Sequence, residues 1–158
     1  MRAFAAARAM VGARFRPQGC DPATGLDCVG LVWAAYSIAG RVLERPRVYP
    51  LRGWSRVQVE AGLVHAGFVP VVGDGREGDV ALIAYPAGQF HLGLIGLDRL
   101  VHAHAGLQRV VETPIDDGLR DAGRWRLSSC LPRCDQSANW QVLLPLPQAG
   151  GEKISGAC

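Results

Sequence analysis

The chain has 158 residues, of which 49% are apolar and 20% are charged, and its formal net charge is +3. This length fits one domain with a core of its own, and the composition excludes an intrinsically disordered chain. The basic residues are spread along the sequence without a block of five or six, so the charge pattern does not indicate a nucleic-acid partner.

The N-terminal segment, residues 1–13, is rich in alanine and is predicted to form a short helix. Arg8 interrupts what would have to be an uncharged apolar stretch in a secretory signal peptide. No apolar run in the sequence has the length of a membrane-spanning helix. We therefore expect the chain to be made in the cytoplasm without an export signal of its own.

Two further helices are predicted in the first half of the chain. Residues 14–26 contain two glycines and two prolines and are expected to form a loop. Asp27 then stands where a helix N-cap would be, and the apolar helix behind it ends at Gly40. An irregular connection leads to a second, amphipathic helix over residues 57–66, with Gly67 as its C-cap.

Short apolar runs separated by turn-forming residues follow, and they predict an antiparallel meander. These four predicted strands cover residues 78–85, 90–97, 100–105 and 108–113. Residues 116–124 are polar and predict a turn or a short helix, and the last strand is either 125–131 or 140–146. Helices followed by strands indicate an α+β fold. We expect one domain over residues 1–147 and a disordered tail over residues 148–158.

The cysteine pattern favours free thiols. In a chain without an export signal this is the usual state of a cysteine, and the number here is odd. The pair at 130 and 134 is separated by three residues and has no second pair to complete a structural zinc site. The five cysteines are Cys20, Cys28, Cys130, Cys134 and Cys158.

Cys28 is the candidate nucleophile, because it lies in the first turn of a predicted helix. The unpaired N–H groups of a helix N-terminus stabilise a thiolate and lower the pKa of the thiol. Such a thiol needs a base, usually a histidine, and a third group that orients the base. The candidates for both roles lie on the predicted strands, whereas His65 lies on a helix. They are His91, His102 and His104.

A turn at Asp98-Arg99 would pair Leu97 with Leu100 and set residue 95 opposite residue 102. In this register the three strand histidines share one face of the sheet, because side chains alternate between the two faces.

The motifs and their order resemble those of the NlpC/P60 cysteine peptidases. They are "GARFRPQGCDPATGLDCVGLV" at 12–32, "GDVALI" at 78–83, "HLGLIG" at 91–96 and "LVHAHAGLQRVVE" at 100–112. The resemblance implies a compact papain-like fold, with the nucleophile helix packed on an antiparallel β-sheet. It also implies hydrolysis of peptidoglycan stem peptides, commonly between D-Glu and a diamino acid, with no cofactor or metal.

The spacing is most similar to the branch found with phage tails and gene-transfer agents. In that branch a single domain without a signal peptide accompanies a tail assembly. The implied partners are peptidoglycan stem peptides and phage-like tail proteins. The implied route is synthesis in the bacterial cytoplasm, with action on the cell wall after delivery by a particle or after lysis.

The resemblance assigns roles position by position. Cys28 matches the nucleophile, His91 the base, and His102 the residue that orients the base. Asp27 matches the acidic residue beside the nucleophile that lines the substrate pocket. The backbone N–H of Cys28 would be one oxyanion donor.

Two positions depart from the family pattern. Phe15 stands where the family often has a tyrosine near the substrate, and Val29 replaces a small polar residue after the cysteine. His104 is expected in the pocket wall, or as the orienting residue if the hairpin register differs.

Other interpretations of the same residues stay open at this point. Cys28 and His91 could be packing residues of the core. His102 and His104 could bind a metal together with Cys28 or His91. The whole protein could be a structural tail-tip component with weak or no activity, or a thiol amidase or acyltransferase acting on another small substrate.

Overall fold

The computed structural model describes residues 2–46, 49, 53–116, 119 and 122–128. A short 3-10 helix (Pro86–Gly88) lies in this part of the chain beside the α-helices and strands given next. The helices are α1 (Ala3–Arg8), α2 (Cys28–Ile38) and α3 (Arg56–His65). The strands are β1 (Cys20–Asp21), β2 (Gly25–Leu26), β3 (Phe68–Pro70), β4 (Val80–Tyr85), β5 (Gln89–Ile95), β6 (Arg99–His104), β7 (Arg109–Pro114) and β8 (Gly123–Leu127).

The helix boundaries follow from their caps. The Asp27 carboxylate accepts the N–H of Gly30 at 2.7 Å and starts α2. Ser55 starts α3 through a capping box with Gln58, and Gly67 follows the helix with φ +90°. Both predicted helices are therefore confirmed, with ends within two residues of the prediction.

The first helix is shorter than the predicted 1–13 and ends at Arg8. The backbone beyond it binds to β7 instead of continuing the helix. Gly12 donates to the carbonyl of Val110, and the N–H of Val110 donates to the carbonyl of Ala13. Tertiary pairing therefore overrides the helix propensity of the alanine-rich segment.

Strands β3 to β8 form one antiparallel sheet with the order β3-β8-β4-β5-β6-β7. The four predicted meander strands correspond to β4 to β7, and the α+β class is confirmed. The sequence did not reveal β3, which has three residues and ends in Pro70. The last strand is β8, which overlaps the first of the two alternatives; residues 140–146 and the tail lie outside the described residues.

The predicted register of the β5–β6 hairpin is wrong by two residues. Gly96 donates to the carbonyl of Arg99, so the loop is Leu97-Asp98, and Gly93 rather than Ile95 lies opposite His102. A shift of two residues moves the pairing along the strand but keeps every side chain on its face. The expected common face for the three histidines therefore survives the correction.

The main core lies between the helices and one face of the sheet, the helix face. Fully buried side chains on this face include Leu31 of α2, Leu94 of β5 and Val101 of β6. The packing is close at Gly96, where a Cβ would lie 2.4 Å from the Phe4 ring. Helix α2 packs on β5 and β6, and its first residue, Cys28, faces the backbone N–H of Leu92 in β5.

An ion pair with a buried carboxylate joins β8 to the residue that precedes β4. The Asp79 carboxylate is 3% exposed and accepts two hydrogen bonds from the Arg126 guanidinium, each 2.7 Å long. It also accepts the N–H of Arg76. The "GD" motif thus anchors the turn into β4 and lies apart from the histidines. None of the helices in the described part of the chain has the length and hydropathy needed to cross a membrane.

Candidate active site

Cys28 is the first residue of α2, and a buried carboxylate holds the backbone around it. Asp27 is 1% exposed and accepts three hydrogen bonds. They come from the N–H of Gly30 at 2.7 Å, the N–H of Gln18 at 2.8 Å and the hydroxyl of Tyr49 at 2.6 Å. The side chain predicted to line the substrate pocket is therefore occupied in fixing the loop and the helix start.

The glycine two residues after Cys28 is required by close packing. A Cβ at Gly30 would lie 1.8 Å from the carbonyl oxygen of Gly19, so another residue would push the loop away from the helix. The "DC-x-G" pattern thus combines a helix cap with a close approach of backbone. Both features hold the thiol of Cys28 in one place.

The thiol is protonated at neutral pH. Burial and, next, the negative charge of Asp27 raise the pKa of the Cys28 thiol to about 11. The backbone N–H groups of Leu92, Val29 and Cys28 itself act in the opposite direction but do not outweigh burial. The expectation that the helix start lowers this pKa is therefore wrong, because desolvation of the thiol outweighs the N–H groups.

Strands β5 and β6 are paired along only part of their length. The β4–β5 ladder extends from Gln89 to Leu94, whereas the β5–β6 ladder covers only Gly93–Ile95. The first half of β5 is therefore free on the side that faces β6, and the N–H of Leu92 is available to the Cys28 thiol. This places the thiol beside the strand residue that follows His91.

His91 and His102 are joined by a hydrogen bond of 2.8 Å between Nε2 of His91 and Nδ1 of His102. Nε2 of His102 lies 3.4 Å from Oγ1 of Thr113. A base that takes a proton at Nδ1 must carry its own hydrogen on Nε2. His91 then donates to His102, and His102 carries its hydrogen on Nε2, facing Thr113. Thr113 is a site residue that the sequence did not reveal.

Two other predicted site residues, His104 and Phe15, make no hydrogen bond to this pair in the described part of the chain. The ring of His104 lies 5.6 Å from that of His102, centroid to centroid, and its Nδ1 accepts the N–H of Leu107. Phe15 packs against the core on the helix face. His91 is thus oriented by His102 and not by His104, and contact of Asp27, Phe15 or His104 with a substrate stays a prediction.

Tyr49 brings a hydroxyl to the site that the sequence did not indicate. It is 5% exposed, donates to Asp27, and accepts a hydrogen bond of 3.1 Å from Arg45. The tyrosine lies in the irregular connection before α3, where no periodic pattern singles it out. It takes a different position in the chain from the family tyrosine that Phe15 replaces.

No protein-family model and no curated protein sequence matches the chain. Solved structures do match. The NlpC/P60 domain of the peptidoglycan hydrolase SagA shares 23% identity with a TM-score of 0.52, over 80% of this chain and 95% of that one. The fold is that of the NlpC/P60 domains.

A lipoprotein-like NlpC/P60 protein from Staphylococcus aureus shares 19% identity with a TM-score of 0.56, over 79% of this chain and 40% of that one. The chain thus spans about two fifths of that longer protein. RipD from Mycobacterium tuberculosis shares 19% identity with a TM-score of 0.53, over 81% of this chain and 95% of that one. RipD is described as a non-catalytic NlpC/P60 domain protein adapted to peptidoglycan binding. The NlpC/P60 fold therefore accommodates both hydrolysis and binding.

Within the described residues of this NlpC/P60 fold, no group of three or more histidine, cysteine or acidic side chains is arranged to hold a metal ion. The histidines instead bond to one another and to Thr113.

The paired histidines predict acid sensitivity. Burial, followed by the charge of His102, lowers the pKa of His91 to about 3, and burial followed by His104 lowers that of His102 to about 4. The folded state thus favours the neutral rings, whereas the unfolded chain binds protons near 6.5. Stability is complete above pH 6.5 and decreases as the pH falls through this value toward the folded pKa.

Between pH 7.5 and pH 5 we expect a loss of about 2 kcal/mol in unfolding free energy for each of the two histidines. Urea unfolding at both pH values measures this decrease in unfolding free energy. The decrease should be smaller in His102→Gln than in the wild type. An equal loss in the wild type and in His102→Gln would contradict the assignment.

Proposed function

We propose that the protein is a cysteine peptidase that hydrolyses peptide bonds in the stem peptides of peptidoglycan. The observation that carries the proposal is the hydrogen bond between His91 and His102, with His91 preceding Leu92, whose backbone N–H faces the thiol of Cys28. The fold shared with the peptidoglycan hydrolase SagA supports the substrate class. The finer proposal is that the cleaved bond joins D-Glu to a diamino acid.

The residues suggest the order of proton movements. Nδ1 of His91 takes the thiol proton as the Cys28 sulfur attacks the carbonyl carbon, and the backbone N–H of Cys28 donates to the oxyanion. The imidazolium of His91 then protonates the leaving amine, and a thioester remains on Cys28. Water, deprotonated by the same ring, attacks the thioester and releases the acid and the thiol. His102 accepts from Nε2 of His91 throughout and holds the ring in one tautomer.

The raised pKa of Cys28 bears on the timing of the first step. Since the thiol and both histidines are neutral at pH 7, the proton transfer accompanies the attack rather than preceding it. When a bound substrate excludes water from the site, Nδ1 of His91 is the group that accepts the proton of the Cys28 thiol.

The experiment is incubation of the purified protein with a stem tetrapeptide and with intact peptidoglycan, followed by mass spectrometry. Cleavage between D-Glu and the diamino acid gives a dipeptide with a glutamate end and a fragment with a new amino group. Cleavage at another bond of the stem peptide would support a peptidase and overturn the proposal that the D-Glu–diamino acid bond is cleaved. Absence of any product, with binding to peptidoglycan intact, would overturn the peptidase.

A binding role is the second candidate. Its supporting observations are the non-catalytic relative RipD, the protonated thiol, and the departures at Phe15 and Val29, both of which pack against the core. Co-sedimentation with insoluble peptidoglycan in the absence of cleavage supports it. An amidase or acyltransferase on another small substrate would instead produce a new amide when a competing amine is supplied.

The proposal extends to a delivery route. The protein would act on the cell wall after synthesis in the bacterial cytoplasm, carried by a phage-like particle or released by lysis, with tail proteins as partners. The sequence resemblance to the tail-associated branch supports this extension. Its test is to look for the protein by immunoblot in purified particles from the producing strain.

Thr113 should act as a positioning residue for His102. We expect Thr113→Val to lower kcat by about 3–10-fold with little change in KM, because His102 loses the partner of its Nε2 hydrogen. The acid limb of the pH profile should shift as well. Thr113→Ser keeps the hydroxyl and should restore kcat; loss of kcat in both variants would indicate a packing role.

A further inference from the structure

Two arginines of neighbouring segments point to the same face of the sheet. Arg14 lies opposite Arg109 in an antiparallel bridge. Their chain neighbours Phe15 and Val110 pack in the core on the helix face. Since side chains alternate along extended backbone, Arg14 and Arg109 lie on the opposite face, the histidine face.

The arginine pair continues the line of histidines. Arg109 is paired with His104 across β6 and β7, and cross-paired side chains lie about 5 Å apart on one face. His104 lies beside His102, with 5.6 Å between ring centroids, and His102 is bonded to His91. A row of basic groups thus leads from the proposed base to the edge of the sheet.

The two arginines in this row have no acidic partner among the described residues. Like charges directly opposite one another in a sheet are unfavourable. In the part of the chain that the structure describes, neither Arg14 nor Arg109 forms an ion pair, and both are exposed. The one carboxylate of β7, Glu112, accepts instead from Arg8 and approaches Arg99. The Arg109 guanidinium donates from Nε to the carbonyl oxygen of Leu107 at 3.3 Å. Two adjacent guanidinium groups without a carboxylate partner among the described residues are suited to an anion.

We propose that Arg14 and Arg109 form a carboxylate-binding subsite, which selects stem peptides that carry a free carboxylate over their amidated forms. This inference rests on the proposed function. Guanidinium groups bind a carboxylate through paired, charge-assisted hydrogen bonds, which a carboxamide reproduces poorly because it is neutral and brings donors of its own. A γ-linked glutamate leaves such a carboxylate beside the cleaved bond. The subsite would bind this carboxylate at the edge of the sheet, on the histidine face.

The test compares two stem tetrapeptides that differ in one group, the free α-carboxylate of D-Glu or its carboxamide. We expect the wild type to prefer the acid by at least tenfold in kcat/KM, and Arg14→Gln/Arg109→Gln to reduce this ratio to near one. Arg76→Gln is the matched control. It removes an exposed arginine in the connection before β4 and should keep the preference. A ratio that is equal in the wild type and the double variant overturns the subsite.

A binding measurement separates this inference from the peptidase itself. Calorimetry with Cys28→Ala needs no turnover, and it reports whether the acid binds more tightly than the amide. Loss of that difference when the two arginines are replaced supports the subsite even where the wild type cleaves neither peptide. Equal binding of both peptides by Cys28→Ala overturns the subsite and leaves the peptidase proposal untouched. Thermal unfolding of the double variant, with a midpoint equal to the wild type, shows that the fold is intact.

Discussion

Replacement of Cys28 by alanine is expected to reduce hydrolysis of a stem peptide by about 10⁴-fold, measured as kcat/KM. The reason is that the covalent route disappears with the sulfur, while His91 and the backbone donors remain. The residual rate reflects binding and the oxyanion donor alone. Mass spectrometry of the trapped intermediate should show an acyl group on the wild-type protein and none on the variant.

Cys20→Ala is the matched control, because Cys20 is an exposed free thiol in β1, eight residues before Cys28. It should keep wild-type activity. Cys28→Ser tests the same point more finely, since the serine hydroxyl ionises with far more difficulty than a thiol, and its activity should also be very low. Full activity in Cys28→Ala would rule out the thiol mechanism.

Replacement of Asp27 by alanine is expected to lower the free energy of unfolding by about 3–5 kcal/mol. The change removes the N-cap of α2 and leaves the N–H groups of Gln18 and Gly30 and the hydroxyl of Tyr49 without their acceptor. All three bonds involve a side chain that is 1% exposed, so water cannot easily take its place. Urea unfolding at pH 7.5 measures the loss.

Asp27→Asn separates the charge of this residue from its hydrogen bonds. The asparagine side chain keeps one acceptor oxygen and nearly the same volume. The Asp27→Asn variant should therefore lose less unfolding free energy than Asp27→Ala. Because the charge of Asp27 helps to raise the pKa of Cys28, the asparagine variant should be alkylated by iodoacetamide faster than the wild type at pH 8. An unchanged alkylation rate would show that burial alone keeps the thiol protonated.

Local patterns predicted much of this fold. The cap at Asp27 and the alternating apolar runs predicted α2 and strands β4 to β7, because short-range chemistry determines these elements. The end of α1 and strand β3 escaped prediction, since their structure depends on pairing with β7 and β8, which are distant in sequence.

For the site, the alternation of side chains along the predicted strands placed His91 and His102 on a common face. It could not predict Thr113, because the register that brings β7 alongside β6 places this hydroxyl. The predicted helix start also gave the wrong direction for the shift in the pKa of Cys28. A helix start favours a thiolate where water or partners reach it, and burial depends on how tightly β5 packs over the helix, which no local pattern contains.

The protonated thiol of Cys28 has a consequence for the durability of the protein. Because its pKa is raised, a smaller fraction of Cys28 carries a thiolate at pH 7 than of an ordinary cysteine. Since peroxides and disulfides react with the thiolate, the nucleophile should survive long exposure to oxidants that modify ordinary surface thiols. A resting form of this kind suits a catalyst that is stored before it meets its substrate.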